Sequence, residues 1–322
     1  MGGTLISCFK MWKVFSGEIL GRGHKTSSCQ DKTFSVVDRG AFYVGLADGA
    51  GSAKFSDVGA ESALKTTKDF FSASFDSIFN DENAERIKRS LLERILNELN
   101  KEARLRKSEL REFASTLLFV ACQSDKLIVV HIGDGMIILQ RSGKLSVVSR
   151  GINGEFANTT YFTTSPNVEE KMFLGKGFLR DIDGFFLCSD GGEFSLYDRR
   201  RGTIASIVGK MLSWGAVMST SFVNAKVDFL LSALRCKTFD DCSILGISAK
   251  KEFEDLDSEK RIKLLGLKGR FRTTKHLEFF TELVKSLRRK ETLKQIATKM
   301  RIKEKYLKKR ISKIKELGID LD

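Results

Sequence analysis

The chain has 322 residues, 42% of them hydrophobic and only one of them proline, which is enough to bury one large core and excludes a disordered or low-complexity protein. Its formal net charge is +14. Residues 251 to 322 hold 22 Lys and Arg against 12 Asp and Glu, while residues 1 to 250 hold 33 against 29, so the basic excess belongs mainly to the C-terminal segment.

At the N-terminus, Leu5-Ile6-Ser7-Cys8 looks superficially like a lipoprotein cleavage site and Gly2 like a myristoylation site. No room precedes Cys8 for a charged segment and an apolar one of about 7–15 residues, and Ile6 stands where myristoylation prefers Ser or Thr. No uncharged apolar run approaches the roughly 20 residues that span a bilayer. The expectation is a soluble, cytoplasmic protein without membrane contact.

Residues 34 to 37 and 41 to 46 are short apolar runs on either side of Asp38-Arg39-Gly40 and read as a hairpin. Residues 58 to 79 and 85 to 106 carry apolar residues at helical spacing, with Ile87, Leu91, Leu92, Ile95, Leu96 and Leu99 on one face of the second helix. Strands are predicted over residues 115 to 122, 127 to 132, 135 to 140 and 145 to 149, separated by Ser124-Asp125, Gly133-Asp134 and Ser142-Gly143. A polar loop over 153 to 170 precedes a strand at 185 to 188, two helices at 203 to 212 and 222 to 235, and a last strand at 242 to 247. Strands and helices grouped in blocks argue for an α+β fold, a four-layer α-β-β-α sandwich of two antiparallel sheets flanked by helix pairs.

Six cysteines, Cys8, Cys29, Cys122, Cys188, Cys236 and Cys242, form no CxxC pair and mostly lie in or beside apolar runs. Buried thiols in a reducing compartment are expected, not a disulfide framework.

Four aspartates share a setting beside an apolar run and a Gly or polar turn: Asp31, Asp48, Asp190 and Asp240, the last followed by Asp241. Carboxylates at strand ends can converge on one sheet edge, and oxygen ligands with few His or Cys nearby suit Mg²⁺ or Mn²⁺ better than zinc. Taken singly, each such Asp also fits a turn cap.

Their order decides between these readings. Gly23-His24, Cys29-Gln30-Asp31, Ala47-Asp48-Gly49-Ala50-Gly51-Ser52, Ser115-Thr116, Ile132-Gly133-Asp134-Gly135, Ser189-Asp190-Gly191 and Asp240-Asp241-Cys242-Ser243 follow one another across about residues 12 to 249. This series resembles the type 2C metal-dependent protein phosphatase family, particularly its bacterial branch. The resemblance implies hydrolysis of phosphoserine and phosphothreonine with two Mn²⁺ or Mg²⁺ ions, and a partner Ser/Thr kinase whose work is reversed. It implies that Asp48 bridges both metals, that the Gly49 carbonyl serves one of them, and that Asp190 and Asp240 bind the other. Asp31 would hold metal-coordinated water, Asp134 a weaker third metal, and Asp241 stands where Asn is common, behind the ligands. Two divalent ions lower the pKa of a shared water and offset phosphoryl charge, so no protein nucleophile is needed. The chain departs from the family where Ala50 replaces a frequent His. His24 is then the candidate acid for the leaving group, with a structural histidine as the alternative, and Arg22 is the candidate for binding substrate phosphate, with a solvated arginine as the alternative.

Residues 1 to 250 therefore read as the phosphatase domain and residues 251 to 322 as a separable basic helical module. After a charged stretch over 251 to 272, helices are expected at 276 to 287, 291 to 300 and 303 to 317. The last two resemble a helix-turn-helix whose Lys- and Arg-rich second helix meets nucleic acid, although the usual turn glycine is absent. A solvated basic hairpin or a docking surface for an acidic partner is the alternative. For the whole chain, the alternative to an active enzyme is a type 2C-like binding or signalling module that works through this tail.

Overall fold

In the computed structural model, which describes residues 11–23, 28–38, 40–151, 160–265 and 270–321, the chain begins with β1 (Trp12–Ile19), β2 (Lys32–Asp38) and β3 (Ala41–Ala47). Helices α1 (Ser56–Asn80) and α2 (Ala84–Arg106) follow, then β4 (Leu117–Gln123), β5 (Lys126–Ile132), β6 (Met136–Arg141) and β7 (Lys144–Arg150). Next come α3 (Val168–Lys171), β8 (Phe173–Phe178), β9 (Ile182–Cys188), α4 (Asp190–Leu196) and the two-residue strands β10 (Tyr197–Asp198) and β11 (Thr203–Ile204). The chain continues through α5 (Ser206–Val217), α6 (Thr220–Arg235), β12 (Cys242–Ala249), α7 (Ser258–Leu265), α8 (Arg270–Arg288), α9 (Leu293–Lys299) and α10 (Glu304–Glu316).

Two five-stranded sheets result, ordered β1-β12-β9-β6-β7 and β2-β3-β4-β5-β8, with antiparallel pairing throughout. The expected sandwich is present. Period-two alternation explains how the sheets face each other: Phe42, Val44 and Leu46 of β3 join Phe185 and Leu187 of β9 and Leu245 and Ile247 of β12 in the layer between the sheets. Tyr43 and Ala47 point the other way, into the cluster built with Leu64 and Phe71 of α1 and Leu91, Ile95 and Leu99 of α2. The α2 stripe recurs every three or four residues, and the helix starts where the Asn83 side chain accepts a hydrogen bond from the Arg86 amide at 2.9 Å. The five described cysteines are free thiols. No helix among the described residues is long and apolar enough to cross a membrane.

The other helical layer is built differently. Helix α5 is apolar around most of its circumference, with Val208, Met211, Leu212, Ala216 and Val217 buried and Ile207 and Trp214 packed at the margin of the same cluster. One side of the α5–α6 layer covers the β1-β12-β9-β6-β7 sheet. Leu277, Phe280, Leu283 and Val284 of α8, Ile296 of α9, and Leu307 and Ile314 of α10 belong to the same continuous apolar cluster. Backbone bonds reinforce the contact: Ser219 N–H donates to the Gly318 carbonyl at 2.6 Å and Asp320 N–H to the Val217 carbonyl at 3.1 Å. Lys13 of β1 pairs with Asp320 at 2.8 Å. This packing contradicts the expectation of a separable module: the catalytic motifs end near residue 250, but the apolar core does not.

Candidate metal centre

The acidic residues meet at one edge of the sandwich because several strands end there in tight, constrained turns. Past β3, the Asp48 amide donates to Thr116 Oγ1 at 2.8 Å, the Asp48 carbonyl accepts from the Thr116 amide at 2.8 Å, and Gly49 pairs with Ser115. A Cβ on Gly49 would lie 2.8 Å from the Gln30 carbonyl oxygen, so glycine is needed for this approach. Asp134 caps the β5–β6 turn between Gly133 and Gly135, which take φ values of +96° and +86°, a region open to glycine and strained for other residues. Asp190 opens α4, separated from the end of β9 by Ser189 alone. The Ser243 amide donates to Ser189 Oγ at 3.0 Å, which ties that corner to β12.

Carboxylate oxygens of Asp48, Asp134 and Asp190 lie within 4.8 Å of one another. Asp31 is completely buried beside Asp48, Ser189 and Ser243, and among the described residues neither of its oxygens, nor Oδ1 of Asp190, has a hydrogen-bond donor. Burial pushes the Asp31 carboxyl up to about 6, against the opposing influence of Ser243, Asp48 and Ser189. Burial, then the charges of Asp134 and Asp240, pushes Asp190 up to about 7. Asp48 is raised well above the carboxylate range by burial and then by Asp31, Asp190 and Asp134, and burial also raises Asp134.

Clustered acids with orphaned oxygens form a site short of positive charge. An all-oxygen donor set of this kind fits a hard divalent cation. Asp240 is exposed at the rim, close enough to raise both Asp134 and Asp190, and its Oδ1 accepts from the Asp241 amide at 3.0 Å.

A second grouping, Cys29, Asp31 and Asp241, has a structural use. Asp241 accepts the Gly21 amide on Oδ1 and the Gln30 amide on Oδ2, both at 2.7 Å, so it pins the β1–β2 connection. Burial and then Asp31 and Asp241 push the Cys29 thiol far up, and a thiol kept protonated is a poor ligand and nucleophile.

Arg22 is exposed; its Nε–H donates to the Thr238 carbonyl at 3.3 Å and its guanidinium lies 5.1 Å from the centre of the Phe239 ring, next to Asp240. His24 lies outside the described residues.

Four residues absent from the sequence reading complete the site. Thr160 Oγ1 donates to Asp134 Oδ2 at 2.5 Å. His131 Nε2 lies 3.0 Å from the Asp134 carbonyl oxygen and Nδ1 lies 2.8 Å from Ser149 Oγ. A carbonyl only accepts, so Nε2 carries the proton and Nδ1 accepts from the serine; burial holds this imidazole neutral, its pKa lowered to about 4. Glu193, one turn beyond Asp190, is buried and holds Arg199 at 2.9 Å. Burial holds the Asp134 carboxyl up, and the Thr160 hydrogen bond and the charge of Arg199 oppose that rise. The signal for His131 was a lone polar residue inside the apolar run Leu127-Ile128-Val129-Val130-His131-Ile132; for Glu193 it was the three-residue spacing from Asp190.

Comparison with known proteins agrees with this architecture. A curated relative, Serine/threonine-protein phosphatase 3 of Escherichia coli (strain K12), is 24% identical over 186 residues, covering 54% of this chain and 72% of its own. A crystal structure of a bacterial serine phosphatase superposes with a TM-score of 0.53 at 15% identity over 74% of this chain and 97% of that one. The serine/threonine phosphatase Stp1 from Staphylococcus aureus does so with a TM-score of 0.51 at 15% identity, over 78% and 100%. The protein phosphatase 2C family model matches residues 21–231, most of the sandwich, and the chain therefore belongs to the protein phosphatase 2C family.

Proposed function

We propose that Asp48, the Gly49 carbonyl, Asp190 and Asp240 of this metal-dependent serine/threonine phosphatase would hold two Mn²⁺ or Mg²⁺ ions. Asp31 orients water at that centre, and Asp134 offers a weaker third position. The observation that carries this reading is the convergence of Asp48, Asp134 and Asp190 within 4.8 Å, beside a buried Asp31 whose oxygens find no donor among the described residues. When bound, such ions acidify water for attack on phosphorus and offset the phosphoryl charge.

The chain's own residues orient and restrain. Thr116 fixes the Asp48 backbone, while His131 and Thr160 hold Asp134 from its carbonyl and carboxylate sides. The Cys242 thiol does not compete as nucleophile: burial, then Asp31 and Asp190, pushes it up to about 12. Arg22, beside the Asp240 loop, meets the substrate phosphate. His24 protonates the departing serine or threonine oxygen in place of the residue that Ala50 lacks. His24→Ala then slows hydrolysis of a phosphothreonine peptide far more than that of p-nitrophenyl phosphate, whose phenolate needs little protonation; equal losses return His24 to a structural role. The partners are a phosphoprotein and the Ser/Thr kinase that phosphorylates it, in a signalling role within the cytoplasm. Nucleic acid at α9 and α10 is an additional proposal that rests on other residues.

The deciding experiment is hydrolysis of a phosphothreonine peptide with Mn²⁺, Mg²⁺, Ca²⁺ or EDTA. Turnover with Mn²⁺ or Mg²⁺ that EDTA abolishes is expected. Peptide binding without turnover under every metal would favour the binding-module alternative.

A further inference from the structure

We propose that α9 and α10 form a helix-turn-helix that binds duplex DNA, with α10 lying in the major groove. The turn glycine that the sequence lacks is replaced in conformation, not in kind. Arg301 adopts φ +52°, the left-handed geometry that reverses the chain after α9. The turn is closed by the Met300 amide on Ile296, the Arg301 amide on Thr298 and the Ile302 amide on Ala297, at 2.9, 3.2 and 3.0 Å. A capping box between Thr292 and Gln295 starts α9. Helix α8 braces the pair: Lys299 reaches Glu282 at 2.7 Å and Ser286 Oγ at 3.1 Å, and the Arg310 guanidinium lies 5.9 Å from the centre of the Phe280 ring. A short helix, a tight turn and a longer helix backed by a third is the arrangement that presents one helix to a groove.

The two sides of α10 differ sharply. Leu307 and Ile314 face the core, while Lys305, Lys308, Lys309, Ser312 and Lys313 are exposed, and Tyr306 is 64% exposed. Among the described residues Lys305, Lys308 and Lys309 make no ion pair; Lys313 reaches Glu316 only at 4.0 Å. Lys305, Tyr306 and Lys309 occupy the N-terminal half of the helix, the part that approaches base edges in this motif.

The occupant follows from this face. Its cations match a polyphosphate backbone. A membrane surface requires an exposed apolar stripe on such a helix, and here that stripe is spent on the core. The deep, narrow major groove of an RNA duplex does not admit a helix, whereas that of B-DNA does.

The test is fluorescence anisotropy of the full chain with a labelled DNA duplex of about 20 base pairs, across about 50 to 200 mM salt. Binding is expected, with log K falling linearly against log salt. Joint Lys305→Glu and Lys309→Glu exchange should weaken it about tenfold or more and lower the salt slope by about two, with phosphopeptide hydrolysis unchanged. Lys305→Arg with Lys309→Arg retains binding, as does the same charge reversal at Lys144 and Lys210, exposed residues elsewhere on the sandwich. The proposal is overturned by absence of binding at low salt or by equal loss from the Lys144 and Lys210 reversal. It is also overturned by tighter binding of an RNA duplex, polyglutamate or phosphatidylserine vesicles than of the DNA.

Discussion

The acidic edge and the tail-covered face of this molecule use burial in opposite ways. At the edge, Asp31, Asp48 and Asp190 are drawn together out of water, and among the described residues neither oxygen of Asp31 nor Oδ1 of Asp190 finds a donor, so the fold carries an electrostatic cost that a cation would offset. On the α5–α6 side, α8, α9 and α10 add apolar side chains to a cluster that also holds Phe15 of β1 and Ile319. The first region gives up stability to prepare a site; the second supplies stability and takes no part in the chemistry. Substitutions in the two regions should therefore separate activity from folding.

The largest effect is expected at the edge. Asp48→Asn and Asp190→Asn should each lower Mn²⁺-dependent turnover on a phosphothreonine peptide by about a hundredfold or more, since each removes an anionic ligand. Melting of the metal-free variants should be unchanged or raised, because a buried, mutually repelling charge has gone. Near-parental turnover in either variant would refute the ligand assignment.

On the opposite face, Leu283 is fully buried, and Leu283→Ala should cost about 2–5 kcal/mol of stability while kcat/KM per folded molecule stays near the parent. Removing everything after residue 250 goes further and uncovers the outer side of α5 and α6, so an insoluble or poorly folded product is expected. A soluble, active truncation with unchanged melting would erase the contrast between the regions and restore the separable module.

A smaller effect distinguishes the regions by pH. The folded state holds Asp31 near 6 and Asp190 near 7, above the ordinary carboxylate value of 3.8, so it favours their protonated forms. That stability is fully present below about pH 4 and is lost as pH rises through the folded values. His131 acts in the other sense: its folded value of about 4 lies below the ordinary 6.5, so its contribution is present above 6.5 and lost as pH falls toward 4. Above pH 6.5 the remaining gain from His131 is small, and the loss as pH rises through about 7 belongs to Asp190. The metal-free protein should melt lower at pH 8 than at 6.5, and Mn²⁺ should raise melting more at the higher pH, where protons compete less. A pH-independent melting temperature in EDTA would show that these acids are not held up by burial.

How much was readable from sequence divides along the same line. Strands β3, β4, β9 and β12 are nearly continuous apolar runs, and α2 has one clean stripe, so local pattern sufficed for them. Strand β8 was missed because Gly175 and Gly177 interrupt its pattern, and β1 because its buried residues, Trp12 and Phe15, fall three apart and not in alternation. The carboxylates were legible through the order of short motifs, but the amides that Asp241 accepts were not, because Gly21 and Gln30 lie 220 and 211 residues away in sequence. Helix α4 was lost to a packing constraint: a Cβ on Gly191 would come within 2.1 Å of the Asp241 carbonyl oxygen, so the glycine that reads as a helix breaker is required for close approach. For the tail, net charge averaged an exposed basic face with a buried apolar one, and that average hid the docking.

The smallest expected effect lies at the joint between α9 and α10. Arg301 sits at φ +52°, where a side chain costs roughly 1–2 kcal/mol relative to right-handed backbone. Glycine relieves that strain but loses more backbone entropy on folding, about 0.5–1 kcal/mol, so Arg301→Gly should stabilise the protein by about half a kcal/mol, read as a small upward shift in denaturant midpoint at constant m value. Arg301→Val should move the midpoint the other way, because branching at Cβ makes the left-handed region a genuine outlier. Neither change should alter phosphopeptide hydrolysis, since the turn lies on the tail-covered side of the molecule. If the valine variant is as stable as the glycine variant, the turn does not hold Arg301 in the left-handed region, and the conformational substitute for the missing glycine fails with it.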